Sequence, residues 1–125
     1  MEIEAKIIFI IALFLAFIFI RLRAEYERKG HKTLTIFLKK ITGLEIHHLH
    51  FGLFYAISAL LWIFIAGFNI ANLIILAIGI SFIIDELFPA IIYLRTGEII
   101  YYSKKSLIIS IILHVITGAI FYFLF

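Results

Sequence analysis

The sequence predicts an all-α integral membrane protein: four transmembrane helices in a compact bundle, with a short interfacial helix before the second span. Three observations carry this. First, of 125 residues 65% are hydrophobic and the mean hydropathy is +1.18, whereas ordinary soluble domains are about half apolar. A chain this short has no core large enough to hide the excess, so lipid is the solvent that accepts it. Second, the apolar residues fall into runs near the roughly 20 residues that a spanning helix needs. Third, the basic residues gather between alternate runs. The length suits a single domain over 1–125. With no cysteine, a disulfide framework and a thiolate metal site are excluded. Nothing points to nucleic acid as a partner.

The first span is placed at about 3–22, around "IIFIIALFLAFIFI". It lacks a basic start and a small-residue cleavage site and ends on Arg21 and Arg23, so it reads as an anchor rather than a signal peptide. The second span is placed at about 44–66, the third at 72–94 and the fourth at 106–125. Arg21, Arg23, Arg28, Lys29, Lys32, Lys39 and Lys40 lie between the first two spans. "GFNIAN" between the second and third has no basic residue, and Arg95, Lys104 and Lys105 separate the third from the fourth. Basic loops stay on the cytoplasmic side. The expectation is a multi-pass protein of the cell membrane with both termini extracytoplasmic. In the first loop, "TLTIFLKKITGL" (33–44) alternates apolar and basic positions at helical spacing, the pattern of a helix lying in the interface; a solvated basic loop is the alternative.

Ionisable groups inside a membrane are costly and face protein or water. Here they are few: Glu45, His47, His48 and His50 on the second span, Asp85 and Glu86 on the third, His114 on the fourth. The acids precede the inner end of the third span by about eight residues, and His114 follows the start of the fourth by about eight, roughly 12 Å of helix. All these groups therefore fall in the cytoplasmic leaflet. On the fourth span Ser103, Ser106, Ser110, His114, Thr117 and Gly118 form a small, polar stripe, the usual packing face in membranes. Pro89 removes a backbone donor one turn below the acids and is expected to bend the helix.

Neutral imidazoles with carboxylates are ligands for zinc or non-haem iron. The candidate metal ligands are His47, His48, His50, Asp85, Glu86 and His114, with Asp85 or Glu86 as the catalytic acid or base. Glu45 and His48 form a Glu-x-x-His pair of the kind seen in di-iron bundles, but no second copy follows. The leading expectation is a divalent-metal enzyme, zinc or iron, acting on a lipid or other membrane-embedded substrate in the cytoplasmic leaflet. A proton or divalent-cation transporter subunit is the alternative, then a scaffold without chemistry or a haem protein. Membrane lipids are the expected partners. Gly67, Gly79 and Gly118 are close-contact positions for a homo-oligomer.

Each group also has a structural reading. The three clustered histidines would cap the second span, the acids would pair with Arg95 or Lys104, and His114 would hydrogen-bond a serine or an acid. Tyr55, Tyr93, Tyr101 and Tyr102 would be interfacial belt aromatics, with Trp62 an outer anchor.

Overall fold

The computed structural model of the chain describes residues 1–31, 37, 40 and 47–125. Among these it is all-helical, and four helices are long and apolar enough to cross a membrane: α1 (Ile3–Arg28), α2 (His48–Ala66), α3 (Ile70–Thr96) and α4 (Lys104–Leu124). The interfacial helix expected over 33–44 lies, apart from residues 37 and 40, outside the described residues, as does Glu45.

The helix ends follow from local chemistry. α1 continues past the expected end at 22 because its polar last turns pair along their own surface. Arg23 meets Glu27 at 3.2 Å and Arg28 meets Glu25 at 2.5 Å, contacts between side chains three and four apart that support a helix. α2 stops at Gly67, whose φ of 82° suits a residue without a Cβ. The short turn that follows is closed by a reciprocal cap. Asn69 and Asn72 each accept the other's backbone N–H at 3.0 Å, and the Asn72 amide donates to the Gly67 carbonyl at 2.9 Å. α3 ends on left-handed Gly97, the common helix stop. α4 starts on Ser103, whose hydroxyl accepts from the Ser106 N–H at 3.1 Å, as an N-cap serine does.

α3 is the central helix. It packs on each of the other three, α1 and α4 also touch, and α2 packs chiefly on α3. Burial agrees: 39% of the α3 span is buried against 17% for α2. The α1 C-terminus, the α2 N-terminus, the α3 C-terminus and the α4 N-terminus share one end, here called the basic end.

At the opposite end Ala5, Phe9 and Leu13 pack on Leu73 and Ala77. There Phe9 stacks on Phe121 with ring centroids 3.6 Å apart. Nearer the basic end Ala16, Ile20 and Phe82 form a second cluster with Phe51 and Ile78. The outer faces carry exposed Phe64, Leu94 and Phe123, as acyl chains require.

The α2–α3 seam is built on glycine. A Cβ on Gly79 would lie 2.5 Å from the Ala56 nitrogen, and one on Gly52 would lie 2.9 Å from the Gly79 carbonyl oxygen. The backbones approach closely enough to gain dispersion contacts that bulkier residues would forbid.

Candidate functional site

Within the basic end, an ion pair organises three of the four helices. Arg21 of α1 donates from Nε to Asp85 Oδ1 of α3 at 2.7 Å, and Asp85 is wholly buried. Its other nitrogens reach the Tyr101 carbonyl at 2.8 Å and, on α4, the Ser110 hydroxyl at 2.9 Å and the Ser106 hydroxyl at 3.4 Å. The guanidinium also lies over the Tyr101 ring, 4.4 Å from its centroid, a favourable cation–π placement. The Tyr101 hydroxyl donates to the second Asp85 oxygen. Burial, then the Asp85 charge and the hydrogen bond to it, push the Tyr101 hydroxyl far above its ordinary pKa, so it stays a donor. Both carboxylate oxygens are thus satisfied, as a charge in a low-dielectric interior requires.

Pro89 joins the same cluster. A proline at this position has no N–H for the carbonyl of residue 85. The freed Asp85 carbonyl instead accepts from the Ser110 hydroxyl of α4 at 3.4 Å. The expected loss of a helix bond is therefore repaired across the bundle, and Asp85 is held by its side chain and by its backbone.

One turn along α4, wholly buried His114 donates from Nδ1 to the Ser110 carbonyl at 2.7 Å. Its Nε2 lies 2.9 Å from the Ser81 hydroxyl. A carbonyl only accepts, so in the neutral ring Nδ1 carries the proton and Nε2 accepts from Ser81. Phe17 covers the ring, with centroids 4.4 Å apart.

Glu86 points the other way along α3. One oxygen accepts from the Leu49 N–H at 3.3 Å and the other lies 3.5 Å from His47 Nδ1. α3 thereby caps the N-terminus of α2 with a carboxylate, where the helix dipole favours negative charge. The His47 N–H donates to His50 Nδ1 at 3.1 Å, so His50 caps the same terminus while its side remains exposed.

His48 is the remaining member. It is only 8% exposed, stacked on the Tyr101 ring at 6.0 Å between centroids and edge-on to Phe82 at 6.3 Å. Its Nδ1 is buried with no hydrogen-bond partner among the described residues.

Phe82 also forms part of a groove of about 620 Å³ that opens on the flank of the bundle. Ala12, Leu15 and Phe19 of α1, Ile75 and Ile78 of α3, and Tyr55 of α2 are among its walls. Tyr55 and Phe82 meet edge to face at 6.0 Å, which places the groove's end one ring away from His48.

The six expected metal ligands are therefore sorted into separate arrangements. Asp85 goes to Arg21 and Tyr101, Glu86 to the α2 terminus with His47 and His50, His114 to Ser81 and Ser110, and His48 stands alone. Among the described residues no group of three or more His, Asp or Glu side chains is placed to hold a metal ion. The physical reason is that helices at one depth can still aim their polar groups at different neighbours.

Two expectations about partners change. The partner of Asp85 is Arg21 rather than Arg95 or Lys104, and Tyr101 is a buried member of the cluster, whereas Tyr93 and Tyr102 are exposed. The signal for Arg21 was available: an arginine at the end of one span and an aspartate within another, on the same side. Comparison of the chain with protein-family models, with curated proteins and with solved structures finds no match.

Proposed function

We propose that the protein binds a membrane lipid from the leaflet at its basic end and holds the acyl chain in the groove between α1, α2 and α3. The groove is the observation that carries this reading. It lies on helices long and apolar enough to span a bilayer, and it is lined by aliphatic and aromatic side chains, with the Tyr55 hydroxyl as its polar group. Along α1 it runs from Ile8 to Phe19, about 16 Å of helix. An extended alkyl chain of about fourteen carbons, whose bonds near 1.5 Å zigzag to advance roughly 1.25 Å each, covers that distance. Burial from water does not drive such binding, because bulk lipid is as apolar as the groove. Shape and dispersion contacts decide it.

The basic loops favour placing this end toward the cytoplasm of a cell, with both termini outside. Chemistry on the lipid would need an acid or base free to move a proton, and Asp85 and Glu86 both have fixed partners. A zinc or iron centre would first have to break those bonds. Axial ligation of haem by His114 would break two more. Lipid binding asks for none of this. Elemental analysis of protein purified without a histidine tag checks the metal reading, and a stoichiometric metal would revive it.

The groove itself is tested in bilayer nanodiscs with a phospholipid carrying a photoactivatable diazirine along its chain. Adducts are expected to concentrate on Leu15, Ile75 and Ile78 and to fall several-fold in Ala12→Phe, which fills the groove. Labelling spread evenly around the bundle, unchanged by Ala12→Phe, would sink the proposal.

A further inference from the structure

His48 stands where the apolar groove gives way to the polar cluster. On one side it meets Phe82, a wall of the groove; on the other it stacks on Tyr101, which holds Asp85. Along this path Phe82 is apolar, and Tyr101 and Asp85 are hydrogen-bonded. His48 Nδ1 alone is buried without a partner among the described residues. Buried polar groups in native proteins are paired with protein, water or ligand, so an unpaired imidazole nitrogen beside an acyl-chain groove marks where a polar head is received.

The surrounding charges decide which head. A carboxylate or phosphate would need a cation, since an isolated buried anion is strongly disfavoured. The Arg21 guanidinium, which lies over the Tyr101 ring, already donates to Asp85, to the Tyr101 carbonyl and to two serines. Arg23 is paired with Glu27. A neutral imidazole has one nitrogen that accepts, and a hydroxyl is the uncharged head that donates to it while bringing no charge to bury. Resting on the lipid-binding reading above, we infer that the groove selects a single-chain lipid with a free hydroxyl head, whose O–H donates to His48 Nδ1.

The test uses the full chain in nanodiscs with three unlabelled competitors of equal chain length: lauryl alcohol, lauryl methyl ether and, at alkaline pH, laurate. Each displaces a diazirine-bearing alkyl probe from the groove, read by mass spectrometry at Leu15, Ile75 and Ile78. Lauryl alcohol is expected to compete about fivefold better than the ether, the size of one net hydrogen bond, and better than laurate. In His48→Phe, which keeps a ring between Tyr101 and Phe82 and removes the unpaired nitrogen, alcohol and ether should become equal. His48→Asn, with an amide oxygen near the Nδ1 position, should keep much of the preference. Equal competition in the unsubstituted protein, a preference that persists in His48→Phe, or tighter binding of laurate would each overturn the hydroxyl site while leaving the groove standing. Failure of every chain to displace the probe from these residues would instead remove the lipid-binding reading beneath it.

Discussion

The two seams on either side of α3 are held together by different physics. Against α2, α3 presents Gly79 to Gly52 and Ala56, and the seam is backbone on backbone, with Glu86 reaching over to cap the helix. Against α1 and α4 it presents Asp85 and Ser81, and the seam is a chain of hydrogen bonds from Arg21 through Asp85, Ser110 and His114. Lipid tails remove the hydrophobic drive between helices, which leaves close packing and polar bonds as the available means. This protein uses one on each side of the same helix. The polar seam is intolerant of losing a partner, and the packed seam is intolerant of gaining an atom. The groove opens between them, where α2, packed chiefly on α3, leaves the α1 wall uncovered.

The largest effect should come from the polar seam. Asp85→Ala leaves the Arg21 guanidinium without its counter-charge and frees the Tyr101 hydroxyl. Removing one partner of a buried pair costs about 3–5 kcal/mol, to be read as a loss of unfolding free energy in a mixed-micelle denaturation series. The double change Arg21→Met with Asp85→Leu should recover most of that loss, because apolar replacement of a buried pair is often neutral. No recovery would mean that the serine and tyrosine bonds, not the uncompensated charge, hold the seam.

The packed seam comes next. In Gly79→Ala the added Cβ meets the backbone of Ala56, which cannot swing away as a side chain tip would. Separating α2 from α3 should cost about 1–3 kcal/mol, the usual size of overpacking. Gly118→Ala is the control. Its Cβ would lie 3.8 Å from the side chains of Ile10 and Phe14, an ordinary contact, and alanine is the better helix former. The same denaturation series should show it unchanged or slightly stabilised. Equal losses at 79 and 118 would mean that the close approach at Gly79 is not what binds α2.

The four spans, and the side of the bundle that carries the charge, were legible in the sequence, since apolar run length and loop charge are one-dimensional properties. The polar stripe of Ser103, Ser106, Ser110, His114, Thr117 and Gly118 was legible too: Ser106, Ser110, His114 and Gly118 are buried, and Ser103 and Thr117 are half-buried. The pairing of the carboxylates was not, although the serine partner of His114 and the histidine cap of α2 were among the readings offered. Depth along a helix can be counted from residues, but the azimuth at which Asp85 and Glu86 diverge depends on how three helices are rotated about their axes. Consecutive residues on α3 point about 100° apart, which sends one acid to α1 and the other to α2. Arg21 read as a topology signal because its position at a span end serves that role equally well. The groove had no sequence signature, since its walls are the same aliphatic residues that face lipid elsewhere.

The smallest effect expected lies in the deeper part of the polar seam. Ser81→Ala removes the hydroxyl bonded to His114 Nε2 while His114 keeps its bond to the Ser110 carbonyl. Interhelical hydrogen bonds in membranes average about 0.6 kcal/mol, so a loss of about 0.5–1.5 kcal/mol is expected, the upper part reflecting a ring nitrogen left unpaired. Ser81→Ala with His114→Phe removes both members together, and should cost less than the sum of the two single changes if the bond is what couples α3 to α4. Strict additivity would assign the stability of this level to the packing of Phe17 on the ring and confine the polar seam to the Arg21–Asp85 cluster.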